Sequence, residues 1–197
     1  MSDNIHPEYE RQVSPEAKQE LLGQRGAVLW LYGLSGSGKS TIANALEHKL
    51  HAEGRYVVML DGDNLRSGIN AGLGFTDEDR NENIRRAAEL AKLLSRNGAI
   101  VILSLITPQE KFRAQVRSII PQDIYSEVYV KASFDACKQR DVKGLYAKQA
   151  AGEIKHFSGA QSTFEEPQNA DLIIDTVALT EAESLDAIYT HYKFLTK

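Results

Sequence analysis

Residues 33–41 read GLSGSGKST, so that four residues separate Gly33 from Gly38-Lys39-Ser40. That spacing suits a phosphate group, and it is the Walker A pattern. Gly33, Gly36 and Gly38 let the backbone curl, so that the N–H groups around Leu34, Ser35 and Ser37 can point inward at an anion; the helical TIANALEHKL that follows, from Thr41, adds the positive end of its dipole. Lys39 is expected to reach the β- and γ-phosphates as a compact charge, and the Ser40 hydroxyl to ligate Mg²⁺. A glycine turn that merely capped a helix would not need Lys-Ser at these offsets. The expected ligand is a nucleoside triphosphate. A GTPase would also carry Asn/Thr-Lys-x-Asp to read guanine, and no such tetrapeptide occurs.

A second group of residues could supply the acceptor chemistry. The stretch LDGDNLRSGIN (60–70) places Asp61 and Asp63 one residue apart. Two such carboxylates can divide a phosphoryl transfer, with Asp61 near the metal and Asp63 accepting the proton of the acceptor hydroxyl. DGDN is also turn chemistry, which is the plainer reading of the same residues. Arg66 follows, and Arg80 and Asn83 fall three apart on one helix face. Guanidinium forks match phosphate or sulfate, which suggests an anionic acceptor. Arg85 and Arg86 read as solvated surface. Phe75 and Phe157 stand in glycine-flanked loops, where a large ring is poorly employed unless a flat ligand covers it.

Elements must hold these groups together. AVLWLY (27–32), YVVML (56–60), AIVILSL (99–105), SEVYV (126–130) and DLIID (171–175) read as short strands. They are mostly continuous apolar runs, as in strands buried on both faces. Between them lie helical stretches, clearest at 78–97, with Thr76 and Asp79 as a capping pair and Gly98 as the stop. Alternating strands and helices give a parallel sheet covered on both faces. In that architecture ligands gather beyond the carboxyl ends of the strands, so Asp61 and Asp63 emerge beside the phosphate loop. Residues 1–25 read as an N-terminal segment with one short helix in SPEAKQELLG. Residues 141–168 mix glycines, a proline, charge and aromatics, which suits a mobile lid.

The chain has 197 residues, enough for one α/β domain. Its 23 Lys+Arg against 27 Asp+Glu, net −4, argue against a nucleic-acid or anionic-membrane surface. Cys137 stands alone, so neither an intramolecular disulfide nor a thiolate metal cluster is expected. The opening residues do not read as a signal peptide, and AIVILSLI is too short to span a bilayer. A cytoplasmic setting is expected.

GAVLWLYGLSGSGKSTIANALE, LDGDNLRSGINAGLGFTDEDRNENIRRAAELAKLL, RDVKGLYAKQAAGEIKHFSG and STFEEP together resemble the adenylyl-sulfate kinases (APS kinases). These enzymes phosphorylate the ribose 3′-hydroxyl of adenosine 5′-phosphosulfate. The resemblance runs from about Gly26 onward. It implies a three-layer α/β/α P-loop NTPase fold over 26–197, with a central, mainly five-stranded parallel sheet and a lid at about 141–168. It further implies Asp63 as the catalytic carboxylate; Arg66, Phe75, Arg80, Asn83, Ile106, Lys143 and Phe157 against the acceptor; and Arg140 against the adenine of ATP. Mg²⁺, a homodimer, and a separate ATP sulfurylase supplying the acceptor are implied as well. This sequence departs from the family where LITP (105–108) replaces Phe-Ile-Ser-Pro, which makes Thr107 a candidate phosphorylation site, although in-line transfer needs no covalent intermediate. Tyr32 replaces a threonine, and Glu166 with Gln168 alter the tail. A P-loop kinase for another small acceptor, or a non-catalytic nucleotide-binding relative, stays open as an alternative.

Overall fold

The computed structural model describes residues 6–141, 144–150, 152 and 164–196. Five strands form one sheet: β1 (Ala27–Tyr32), β2 (Val57–Asp61), β3 (Ile100–Leu105), β4 (Tyr125–Lys131) and β5 (Leu172–Asp175). Their order is β2-β3-β1-β4-β5 and every pairing is parallel. All six residues of β1 are buried, because the central strand is covered on both faces.

The two faces separate by alternation along β1. Leu29 and Leu31 pack with Ile42, Leu46 and Leu50 of α2 (Lys39–Ala52) and with Ile188 and Tyr192 of α8 (Glu181–Leu195). Val28 and Trp30 pack with Ile84, Ala87, Ala88 and Ala91 of α4 (Asp77–Arg96) and with Phe112 and Val116 of α5 (Glu110–Ile119). Helices thus cover both sides of the sheet, the three-layer arrangement expected from the sequence. Truncating a residue such as Leu46, which is fully buried, would cost about 2–5 kcal/mol through lost burial and the cavity left behind.

Boundaries shift by a residue or so, for local reasons. The Thr76 hydroxyl accepts from the Asp79 amide, so α4 starts at Asp77, and Gly98, with a φ of 89°, follows its end. β2 runs on to Asp61 because that residue still pairs with Ser104, while Tyr56 just before it is engaged by the Gln24 side chain. The helix expected near the N-terminus is α1 (Pro15–Leu22), capped by Ser14. Lys18 bonds Asn97 at 2.7 Å and Gln24 bonds the Gly98 carbonyl at 2.6 Å, which fastens this segment to the end of the sheet opposite the strands' carboxyl ends.

Three short helices complete the frame: α3 (Gly62–Ser67), α6 (Phe134–Arg140) and α7 (Leu145–Ala150). α7 lies within the expected lid, and the Asp141 carboxylate begins it by accepting from the Tyr146 and Ala147 amides. Among the described residues no helix is long and apolar enough to cross a membrane.

Candidate active site

The loop from Gly33 to Gly38 lies between β1 and α2 at the carboxyl end of the central strand. Gly33 has a φ of 151°, and a Cβ there would stand 2.3 Å from the Val130 carbonyl oxygen, so only glycine fits. Gly38, with a φ of 97°, precedes α2 without a side-chain cap, and the first turn of α2 carries no acid. The first amides of α2 therefore have no competing side-chain acceptor and suit a phosphate. Lys39 is 8% exposed, and its Nζ donates to the Leu34 carbonyl at 2.6 Å, holding the ammonium on the loop's inner rim. Leu34 and Ser37 are buried and form the back of the loop.

Behind the loop, Cys137 of α6 is fully buried, and its carbonyl oxygen lies 3.0 Å from where a Gly36 Cβ would stand. Burial pushes its thiol pKa up. The Tyr146 hydroxyl donates to the Ser35 carbonyl at 2.7 Å. Arg140 donates to the Thr176 carbonyl at 2.8 Å, to the Thr176 hydroxyl at 3.0 Å and to the Gly36 carbonyl at 3.2 Å. The Thr176 hydroxyl in turn donates to the Ser37 carbonyl at 2.8 Å. Side chains from three other elements thus fix the outer curve of the phosphate loop.

The Ser40 hydroxyl donates to the Asp61 Oδ2 at 2.9 Å, and its oxygen lies 3.0 Å from that of Ser104. Since the single Ser40 proton goes to Asp61, Ser104 is the donor in the second bond. The other Asp61 oxygen accepts from the Asp63 amide at 3.0 Å and so caps α3. Asp61 is thereby fixed by two elements, while Asp63 sits exposed in the first turn of α3.

Across the cleft, Arg66 Nη1 donates to the carbonyls of Gly74 at 2.8 Å and Leu73 at 3.3 Å. Its guanidinium stands 4.4 Å from the centroid of the Phe75 ring, and Arg80 Nε donates to the Phe75 carbonyl at 3.0 Å. Phe75 is nonetheless 57% exposed. Burial lowers the pKa of both arginines; the neighbouring Arg66 charge lowers that of Arg80 further, whereas Asp77 opposes the shift there and Asp79 and Asp63 oppose it at Arg66. Two partly desolvated like charges side by side favour an anion between them. Asn83 is buried and accepts from Asn70 Nδ2 at 3.0 Å, which anchors its amide beside these arginines. Arg85 and Arg86 instead pair with Glu82 on the far side of α4.

These groups share one cleft of about 710 Å³. It collects most of the site residues expected from the sequence: the phosphate loop, Lys39, Ser40, Thr41, Asp61, Asp63, the Arg66-to-Asn83 wall, Ile106, Thr107 and Arg140. Gly33 stands against β4 rather than on the cleft wall. Lys143 and Phe157 lie outside the described residues. The Thr107 hydroxyl accepts from the Trp30 indole N–H at 2.9 Å, which engages the oxygen that phosphorylation would need. The cleft also includes Tyr146, Thr176, Leu179 and Ser184, which the sequence reading did not single out. Tyr146 belongs to the RDVKGLY stretch within the expected lid, and the signal for the other three was general: residues 176–184 follow the carboxyl end of the fifth strand.

The family described as Adenylylsulphate kinase matches residues 25–175. The chain is 50% identical to the adenylyl-sulfate kinase of Phocaeicola vulgatus over 186 residues, 94% of this chain and 91% of that protein. It is 48% identical to a probable adenylyl-sulfate kinase of Bacillus subtilis, with 85% of each chain covered. Among solved structures, it is similar to the APS kinase CysC of Mycobacterium tuberculosis in complex with AMPPNP and APS. That likeness has a TM-score of 0.82 and 40% identity over 86% of this chain and 99% of that one. A gluconokinase from Sinorhizobium meliloti shares the fold at a TM-score of 0.56 and 20% identity, with 88% of this chain and 95% of that one covered.

Proposed function

Because this chain belongs to the adenylylsulphate kinase family, we propose that it transfers the γ-phosphate of ATP to the 3′-hydroxyl of adenosine 5′-phosphosulfate. The products are ADP and 3′-phosphoadenylyl sulfate. One observation carries the reading: a phosphate loop with its Ser40–Asp61 pair faces, within one cleft, an exposed carboxylate at Asp63 and a wall of Arg66, Phe75 and Arg80.

Each group has a task in this reaction. The phosphate-loop amides and Lys39 hold the β- and γ-phosphates and oppose the charge that spreads over the transferring group. Asp63 orients the 3′-hydroxyl and takes its proton as the oxygen attacks. Arg66 and Arg80 take the phosphosulfate anion, and Phe75 offers its open face to the adenine. Phe157 is assigned the opposite face of that adenine, Lys143 a further acceptor contact, the Ile106 backbone another, and Arg140 the adenine of ATP. Ser40 and Asp61 present hard oxygen donors, which fit Mg²⁺, and the ion supplies charge neutralisation along the phosphates when bound. Most of the barrier reduction then comes from positioning and fixed charge.

We further assign the chain to the cytoplasm, as a homodimer that receives its acceptor from a separate ATP sulfurylase. The lone cysteine supports the first of these.

The test is ADP release from Mg·ATP with adenylyl sulfate, with adenosine monophosphate as the control lacking sulfate. Stimulation by adenylyl sulfate alone is expected. Equal stimulation by both, or by neither, would reject it as the acceptor.

A further inference from the structure

The geometry points to Arg113 as a positioning residue that sets the shape of the acceptor wall at 106–108 from outside the cleft. The inference rests on the adenylyl-sulfate kinase reading above.

Arg113 belongs to α5, and its side chain is 2% exposed. It does not line the cleft. A guanidinium so deeply buried is tolerated where its donors are spent. Nη1 donates to the Thr107 carbonyl at 3.3 Å, Nη2 to the Glu165 carbonyl at 2.9 Å, and Nε to the Glu110 carboxylate at 3.0 Å. Its carbon also stands 5.2 Å from the Tyr32 ring centroid. A lysine could carry the charge, but its single nitrogen cannot stand at the three separate positions from which Nε, Nη1 and Nη2 donate.

What the fork holds is unusual. Thr107, a β-branched residue, holds a φ of 42°, in the left-handed region that favours glycine. Such a conformation persists only where the surroundings over-determine it. Here the Trp30 indole takes the Thr107 hydroxyl and Arg113 takes the carbonyl, so side chain and backbone are each held. Next to it, Glu165 closes the same junction: its amide donates to the Pro108 carbonyl at 2.8 Å and its carboxylate accepts from the Glu110 amide at 2.7 Å. Ile106, Thr107 and Pro108 themselves face the cleft.

The side chains that hold the phosphate loop are a different set, Arg140, Thr176 and Tyr146, and a single backbone bond at 3.3 Å, from the Gly33 amide to the Ile106 carbonyl, ties the first residue of the loop to the wall. Loss of Arg113 should therefore relax the acceptor wall and leave the ATP side in place. Releasing Thr107 lets its backbone leave the strained region, and the surface offered to the acceptor changes with it.

Steady-state ADP release by wild type, Arg113→Lys and Arg113→Met, with each substrate varied in turn, tests this. Arg113→Lys is included because it keeps the buried charge and is the milder change to the fold. The KM for adenylyl sulfate should rise about tenfold, the scale of a lost charge-assisted hydrogen bond, while the KM for ATP stays within about twofold. Adding Thr107→Gly to the Arg113→Met variant should restore part of the acceptor affinity, since glycine holds a positive φ without the fork. Equal rises in both KM values, an unchanged acceptor KM, or no recovery with glycine would overturn the inference while wild-type turnover of adenylyl sulfate left the functional reading intact. A wild type that ignores adenylyl sulfate would overturn both.

Discussion

The Ser40 hydroxyl donates to the Asp61 carboxylate at 2.9 Å, joining the first turn of α2 to the last residue of β2. That bond aligns a hydroxyl and a carboxylate as neighbouring oxygens beside the phosphate loop. Asp61→Asn keeps the shape and the cap on α3 but removes the charge. Turnover should fall about 10- to 100-fold, as for lost partners around a metal, and the Mg²⁺ concentration for half-activation should rise. A Mg²⁺ titration of ADP release that superimposes on wild type would take Asp61 out of the metal site.

Asp63, whose amide closes Asp61's capping turn, faces the cleft from the first turn of α3. In Asp63→Asn, kcat should drop about a hundredfold or more, the scale of a lost general base, with both KM values nearly unchanged. Pre-steady-state ADP formation separates this from slow product release. A near-normal chemical step would mean that another group takes the proton.

Phe75 keeps 57% of its surface exposed although Arg66 lies over its ring. Phe75→Ala should weaken acceptor binding by about 1–3 kcal/mol, the worth of base stacking on an aromatic ring. Calorimetric titration with adenylyl sulfate and with a non-hydrolysable ATP analogue would show whether the loss falls on the acceptor alone. An equal loss for both ligands would place the ring outside the acceptor site.

Glu82 accepts from Arg85 and Arg86, each at 2.7 Å, and these bonds, Arg85's foremost, hold its carboxyl down to about 2 from an ordinary 4.5. The folded chain thus gives up this proton more readily than the unfolded one. The resulting stability is fully present above about 4.5 and is lost as the pH falls through about 2. Glu82→Gln should lower the urea midpoint slightly at pH 7, and the gap to wild type should narrow toward pH 3. A gap that stays constant with pH would show that charge pairing is not its source. Activity at pH 7 should change little, because Glu82 does not line the cleft.

Much of this was legible in the sequence, for reasons that differ by region. The phosphate loop carries its information in fixed spacing, since Gly33 and Gly38 occupy backbone conformations that other residues rarely adopt. Helix α4 announced itself through Thr76 and an apolar stripe, and all five strands through apolar runs between glycines and charges. Of the arginines of α4, Arg80 lines the cleft, whereas Arg85 and Arg86 pair with Glu82 away from it. What stayed hidden depends on long-range contact. Thr176 meets Ser37, Trp30 meets Thr107, and Arg113 meets Glu165, pairs that no local period or motif relates. Thr107's strain was equally invisible, because a threonine gives no local sign that its backbone will be forced to a positive φ.

Cys137, sealed behind the phosphate loop with its thiol pKa raised, makes the native chain a poor target for maleimides and iodoacetamides at neutral pH. A cysteine engineered at an exposed position on α7, such as Ala147→Cys, would then take a fluorophore almost alone, without the native thiol first being removed. The arrangement that packs the phosphate loop thus also leaves a clean background for watching α7 respond to nucleotide by fluorescence.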